Sequence, residues 1–216
     1  MQLRLYSYEH SVYSWIARLA LAEKGISYEL FEVDPFDANP AQELLSINPL
    51  NRVPALSHGR FELYETASIT RYIDEAFNGS VLQPQLPGQR AKQNQIIGVL
   101  DSDAYWPFVR QVFVHSVYNP MFSEPISPEE LKAGLNRSEP VLAALEALVE
   151  GQQFLAGKEF SLADIHAFPM LAYLQAGEEG RELTNGFGKL SSWYDTLCDR
   201  PTVCSTCPNF LVDKVL

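Results

Sequence analysis

Asn48-Pro49-Leu50-Asn51-Arg52-Val53-Pro54-Ala55-Leu56 is a turn bracketed by two prolines, beyond which apolar residues restart. A proline is tolerated at the first residue of a strand, where no N–H is owed to the ladder, so a strand is expected from about Pro54. His58-Gly59-Arg60 then forms a tight turn, and Phe61-Glu62-Leu63-Tyr64 carries strand-forming residues. The short turn makes the two strands an antiparallel hairpin. After Glu65-Thr66 the period changes: Ile69, Tyr72, Ile73 and Phe77 recur at helical spacing, so a helix opens near Glu65.

Upstream, Leu3 to Tyr8 reads as a first strand, and Trp15, Ile16, Leu19 and Ala20 mark a helix that follows Ser11. Gly25, after Glu23-Lys24, supplies a left-handed terminator with a cation in the last turn. Tyr28 to Val33 is rich in strand formers and is closed by Asp34-Pro35, and a short helical patch lies around Ala41 to Leu45. Strand, helix and strand within so short a span imply a parallel pair with a crossover helix. Residues 1–78 are therefore expected to form an α/β domain. Residues 79–89 have the Asn, Gly, Ser and Pro content of a linker.

Residues 90–216 read as all-helical. A helix is expected from Ala91 to about His115, and Ser127-Pro128-Glu129-Glu130 opens another by a capping-box pattern. Val141, Leu142, Leu145 and Leu148 form an amphipathic stripe. Ser161-Leu162-Ala163-Asp164 is a second capping signature, in which Asp164 is a folding signal rather than a catalytic acid. It leads into Ile165 to Leu174, an apolar run too short for a bilayer and suited to a buried core helix.

Composition narrows the function. The chain has 216 residues, 46% hydrophobic and 20% charged, which is ordinary for a packed globular protein. A formal net charge of −11 argues against nucleic acid, whose affinity depends on clustered Lys and Arg. The N-terminus lacks a secretory pattern and no apolar stretch approaches the roughly 18 residues of a membrane span, so no membrane partner is expected and the expected location is cytoplasmic. Cys198, Cys204 and Cys207 are an odd set, best read as reduced thiols; Cys204 to Cys207 is a Cys-x-x-Cys without the strand-then-helix context of a redox motif. His10, His58, His115 and His166 show no metal-ligand spacing, and no metal is expected.

Taken in order, Leu5-Tyr6-Ser7-Tyr8, Ser11, Arg18 to Gly25, Asn48-Pro49, Val53-Pro54-Ala55-Leu56, Glu65-Thr66, and Ser161 to Ile165 resemble the motif series of the cytosolic glutathione transferases. Trp193-Tyr194 followed by Arg200-Pro201 is similar to that family's last long helix and its exit. The resemblance covers essentially the whole chain. It implies a thioredoxin-like α/β N-terminal domain, an all-α C-terminal domain, and glutathione as co-substrate.

By that resemblance Val53-Pro54 carries a cis bond that opens the Val53 backbone to the cysteinyl backbone of glutathione. Glu65 and Thr66 hold its γ-glutamyl end at a helix start, and Arg52 is a candidate partner for its glycine carboxylate. Ser11 is the catalytic candidate, since a hydroxyl and a helix N-terminus both favour a thiolate over a thiol. The family's serine types continue with Pro or with a Ser-Cys pair, whereas here Val12-Tyr13-Ser14 follows, so Ser14, Tyr13, Tyr6 and Tyr8 remain open as the thiol partner. Ser14-Trp15 and Arg18 are weakly similar to the zeta class.

Tyr8, Ser14, Tyr105, Trp106 and Val109 are candidates for walling a substrate pocket; with Phe61, Leu63 and Tyr64, the aromatic helix also offers material for a homodimer. The implied activity is transfer of glutathione to small, mostly apolar electrophiles. A glutathione-dependent isomerase, dehalogenase or disulfide reductase, and a non-catalytic ligand-binding or assembly module, are the alternatives.

Overall fold

The computed structural model describes residues 2–149 and 153–215. Contacts divide the chain into two units, residues 1–81 and 82–216.

The first unit is built on a four-stranded sheet with the order β2-β1-β3-β4, formed by β1 (Leu3–Ser7), β2 (Glu29–Glu32), β3 (Ala55–His58) and β4 (Phe61–Tyr64). β1 and β2 are parallel and joined through α1 (Val12–Glu23); β3 runs antiparallel to both β1 and β4. Alternation of side chains across the pleat sends Leu5 and Tyr6 of β1 to opposite faces. On one face α1 packs with α3 (Thr66–Ala76), burying Trp15, Ile16, Leu19, Ile69 and Ile73 completely. The other face carries Tyr6 and Ala55 against Leu44 and Ile47 of α2 (Gln42–Ile47).

The last turn of α1 departs from a simple dipole-complementing cation. Gly25 has the left-handed φ of +66°, but Lys24 is buried and its ammonium donates to the Asp74 carbonyl (3.0 Å), the Asp74 carboxylate (3.1 Å) and the Ser80 carbonyl (2.8 Å). All three donors of the ammonium are used, so the charge ties the end of α1 to the end of α3.

In the second unit α4 (Pro87–Val99) begins inside the stretch read as a linker, because Pro87 stands at the first helical position, where no N–H is owed. The helix continues through π-type turns at Leu100–Ala104 and Trp106–Tyr118 to α5 (Asn119–Phe122), beyond the expected end near His115. Pro107 lies within this run. A proline lacks the helical N–H and its ring crowds the carbonyl four residues back, and wider turns relieve that contact.

α6 (Pro128–Val149) starts at Ser127, whose hydroxyl accepts from Glu130 N–H at 3.2 Å. The reciprocal half of the expected capping box is missing: Glu130 instead accepts from Gln111 Nε2 (2.7 Å), and Ser127 N–H donates to His115 Nδ1 (3.2 Å). α7 (Leu162–Gln175) is the core helix, with every residue from Leu162 to Leu174 buried. The remaining helices are α8 (Glu178–Asn185), α9 (Gly188–Cys198), α10 (Pro201–Thr206) and α11 (Val212–Val215). Among the described residues no helix is long and apolar enough to cross a membrane.

Asp164 closes a complete capping box at the start of α7. One carboxylate oxygen accepts from Leu155 N–H and Trp193 Nε1–H, both at 2.9 Å; the other accepts from Ser161 N–H (2.9 Å) and Ser161 Oγ–H (3.0 Å). Burial pushes this carboxyl above its ordinary range, and the four donors work against that shift. Asp164→Ala is expected to lower unfolding stability by roughly 3–5 kcal/mol, because it strands buried donors from three residues. Asp164→Asn is expected to lose less, since its amide still accepts on one side. Guanidinium denaturation measures both, and a loss under about 1 kcal/mol in the alanine variant contradicts the assignment.

Candidate functional site

Three strand ends lie at one level of the first unit. Tyr6 of β1 pairs with Ala55 of β3, and Ala55 pairs with Tyr64 of β4. The chain leaves β1 toward Ser11, enters β3 from Val53-Pro54, and leaves β4 into Glu65-Thr66. All three segments therefore emerge at the same end of the sheet. With neighbouring strands about 4.8 Å apart, two steps separate β1 from β4 by about 10 Å. An extended tripeptide spans about the same distance, roughly 3.3–3.6 Å per residue.

At the first position Ser11 is the N-cap of α1, with extended backbone (φ −94°, ψ 116°). Its oxygen accepts from Ser14 N–H at 3.2 Å, and its own N–H donates to the Tyr8 carbonyl at 2.9 Å. Ser14 Oγ in turn accepts from Tyr8 N–H at 3.2 Å. These bonds lock the turn between β1 and α1. A serine hydroxyl has one hydrogen and two lone pairs, so a cap made by the Ser11 oxygen leaves its hydrogen available to donate. The first turn of α1 itself carries no acidic residue, while Glu9, Glu32 and Asp34 lie beside the turn that precedes it. Burial lowers the His10 imidazole below its ordinary value, against the raising influence of Glu9 and Asp34, and leaves it neutral near pH 7.

The two serines divide the open roles. Ser11 is partly exposed, whereas Ser14 is fully buried and its oxygen serves the Tyr8 N–H. Ser14, expected as a second thiol partner and as pocket lining, is buried, and the structure does not bring it to the partly exposed position that Ser11 occupies. Tyr6 is also buried, its ring 5.3 Å from Phe31. Tyr8 is partly exposed, with edge contacts to His10 (5.3 Å) and Phe36 (6.1 Å).

At the second position the Val53-Pro54 bond is cis. The paired strands stop at Ala55, so the Val53 backbone stands beyond the ladder, while its side chain packs on the Tyr6, Leu44, Ile47 and Ala55 cluster. Two asparagines that sequence reasoning gave no role shape this turn. Buried Asn48 donates to the Arg52 carbonyl (2.8 Å) and accepts from Leu50 N–H (3.1 Å); Asn51, with φ +50°, donates to the Pro35 carbonyl (2.9 Å). Asn on both sides of Pro49-Leu50 was the available signal, since asparagine both bonds nearby backbone and tolerates the left-handed region. The Arg52 side chain is exposed.

At the third position Glu65 holds a φ of +72° and precedes α3, while Thr66 is buried at the first helical residue. A non-glycine residue in that region carries strain of order 1–3 kcal/mol, and such residues cluster at ligand-binding sites. No side chain caps α3. Its first N–H groups open at the same end of the sheet as Ser11 and Val53, with Thr66 at the first helical residue.

With this geometry in hand, the glutathione S-transferase N-terminal domain matches residues 5–81 and the C-terminal domain matches residues 106–201. The chain belongs to the glutathione S-transferase family. Glutathione S-transferase F10 of Arabidopsis thaliana is 29% identical over 188 residues, covering 85% of this chain and 86% of its own length. A stringent starvation protein A homolog of Haemophilus ducreyi is 28% identical over 194 residues, covering 90% of this chain and 84% of its own. A theta class glutathione S-transferase of Xanthomonas axonopodis pv. citri, solved with glutathione bound, superposes with a TM-score of 0.79 at 25% identity, covering 95% of this chain and 96% of that one.

In the second unit of this transferase-family chain, Trp106 is 54% exposed and lines an open cavity of about 550 Å³ with Val99, Ser102, Asp103, Pro107 and Arg137. Tyr105 is partly exposed, but Val109 is packed in the core at 6% exposure. Val109 and Trp106, both candidates for a substrate pocket, thus lie in different surroundings; the wider turns carry more residues per revolution, so positions three apart diverge further than in an α-helix.

The hydrogen-bond pattern at α1 separates the two serines by stability. Ser14→Ala is expected to lower unfolding stability by about 1–3 kcal/mol, since it leaves the half-buried Tyr8 N–H without its acceptor and opens a gap at a fully buried position. Ser11→Ala removes an exposed cap and costs about 1 kcal/mol. Denaturant midpoints test the order, and a Ser11 effect larger than that of Ser14 contradicts it.

Proposed function

We propose that this chain catalyses the transfer of glutathione to small, mostly apolar electrophiles, with Ser11 stabilising the thiolate. The single observation that carries the reading is the convergence of an uncrowded helix N-terminus bearing a hydroxyl donor, an unpaired stretch of backbone at Val53, and an uncapped helix N-terminus at Thr66. These three features match the three parts of the tripeptide.

The α3 N–H groups and the Thr66 hydroxyl receive the γ-glutamyl carboxylate, and the exposed Glu65 carboxylate is placed for the neighbouring ammonium. Val53 pairs with the cysteinyl backbone as an added strand does, and Arg52 is the candidate for the glycine carboxylate. This orientation directs the thiol toward Ser11. A free thiol titrates near 8.5, so lowering it by about 2 units makes it mostly ionised at neutral pH, a differential stabilisation of about 2.7 kcal/mol. The hydroxyl bond and the α1 dipole together supply energies of that order.

The chemical step is then short. The thiol releases its proton, the thiolate sulfur attacks an electrophilic carbon, a C–S bond forms, and any leaving group departs with the electrons of its own bond. Tyr8 and the exposed Phe36 offer an aromatic surface beside the turn that holds Ser11, which favours apolar electrophiles. We further propose cytoplasmic location and a homodimer, for which exposed Phe61 and Tyr64 on the edge strand β4 provide apolar surface. The same thiolate site serves glutathione-dependent isomerisation, dehalogenation or disulfide reduction. A non-catalytic ligand-binding or assembly module is the contrasting reading, which failure to bind a glutathione-affinity matrix supports.

Ser11→Ala is expected to keep glutathione binding while lowering turnover with a model electrophile at least tenfold, about 1.4 kcal/mol. Replacing Glu65 and Thr66 by Ala is expected to raise the KM for glutathione far more than it lowers kcat, because these contacts hold the non-reacting end of the tripeptide. Steady-state kinetics test both. Unchanged turnover in Ser11→Ala moves the thiol role to Tyr8 or Tyr13, and collapse of kcat at constant KM in the double variant overturns the γ-glutamyl assignment.

A further inference from the structure

All three cysteines of the chain lie near its end, on or beside α9 and α10. Cys198 is the last residue of α9 and is partly buried, Cys204 is exposed on α10, and Cys207 is buried at the C-terminal cap of α10. The chain reverses at Arg200-Pro201: Arg200 N–H donates to the Leu197 carbonyl and Cys204 N–H to the Arg200 carbonyl, both at 3.0 Å. The reversal brings the Cys204 side chain back over the end of α9, where its Sγ–H donates to the Cys198 carbonyl at 3.3 Å. By standard bond lengths that oxygen is about 2.4 Å from the Cys198 Cα. The exposed thiol therefore rests against the backbone of a second cysteine, and the Cys204 thiolate is among the charges that act on the Cys198 thiol.

We propose that Cys204 and Cys198 are a thiol–disulfide pair that reacts with low-molecular-weight disulfides, Cys204 as the entry thiol and Cys198 as the resolving thiol. Cys204 loses its proton to solvent and attacks one sulfur of glutathione disulfide. That S–S bond breaks, a Cys204–glutathione bond forms, and the first glutathione leaves as a thiolate that takes up a proton. Cys198 then loses its proton and attacks the Cys204 sulfur, expelling the second glutathione and forming the Cys198–Cys204 bond. Two protein thiols are oxidised and one glutathione disulfide is reduced to two thiols.

Access sets the order of events. The Cys198 thiol is pushed up to about 11 by burial, with the Asp195 and Asp199 carboxylates adding to the rise and a hydrogen bond with Tyr194 opposing it. It is almost wholly protonated near pH 7 and is a poor first attacker. Once Cys204 carries a glutathionyl group, proximity supplies what Cys198 lacks in ionisation. Cys207 is buried, with its thiol on the Pro208 carbonyl (3.7 Å), and is not an entry thiol. Closure has a structural consequence as well: Cys198 releases Tyr194, whose ring is stacked on Phe168 of α7 at 4.7 Å. None of these residues belongs to the unit that carries Ser11, so the pair stands or falls independently of the transferase reading.

The test exposes the reduced full chain to glutathione disulfide, quenches with an alkylating reagent, and maps the products by mass. Cleavage before Asp199 separates Cys198 from the other two cysteines, and fragmentation distinguishes Cys204 from Cys207. The parent chain is expected to lose two of its three thiols and to yield a Cys198–Cys204 cross-linked peptide. Cys198→Ser is expected to stop with one glutathionyl group on Cys204, and Cys204→Ser to keep its thiols over the same interval. Circular dichroism checks that each variant is folded, with Cys198→Ala and Cys204→Ala as replacements where a serine is not tolerated. A stable glutathionyl group on Cys204 beside a reduced Cys198 in the parent overturns the proposal, as does a Cys204–Cys207 linkage or an unreacted Cys204.

Discussion

The registers that pair Tyr6 with Ala55 and Ala55 with Tyr64 are the constraint on which the candidate site depends. Hydrogen bonding across β1, β3 and β4 stops all three strands at one level, so three otherwise unrelated turns leave the sheet side by side. A slip of one residue in either pair would turn every side chain of that strand to the other face and carry its turn out of line. The cores on the two faces oppose such a slip. α1 and α3 cover one face through Trp15, Ile16, Ile69 and Ile73, while α2 covers the other through Leu44 and Ile47. Packing thus fixes register, and register fixes the spacing of the site.

Within that frame, structural and chemical duties fall on different atoms of neighbouring residues. The Ser11 oxygen caps α1 while its hydrogen remains to donate, and Ser14 beneath it takes the purely structural bond to Tyr8. Val53 anchors its side chain in the α2 cluster and keeps its backbone outside the ladder. Glu65 holds a strained backbone so that the uncapped start of α3 faces the same region. In a protein of net charge −11 the first turns of α1 and α3 contain no carboxylate.

Most of the first unit was legible in the residues because its signals are local. The turn at His58-Gly59-Arg60 places the hairpin and helical spacing gives α1 and α3; in the second unit the Ser161 to Asp164 box opens α7 in the same local way. The cis bond at Val53-Pro54 came from the family resemblance, since an isolated X-Pro bond favours trans. What escaped were choices among non-local partners. Glu130 had the spacing to reach back to Ser127, yet Gln111 on another helix captures it and His115 takes the vacated N–H. Ser14 had the spacing of a thiol partner, yet packing buries it completely. Val109 is buried while Trp106 is exposed, along π-type turns whose change of pitch a fixed helical period does not contain.

The central claim is that the N-terminus of α1 and the Ser11 hydroxyl hold glutathione as a thiolate. Ultraviolet thiolate absorbance of bound glutathione, titrated against pH in the parent chain and in Ser11→Ala, tests it without reference to any electrophile. The account predicts a midpoint about 2 units below the free-thiol value near 8.5 in the parent and a clear upward shift in the variant. A bound thiol that titrates near the free value, or equally in both proteins, contradicts it.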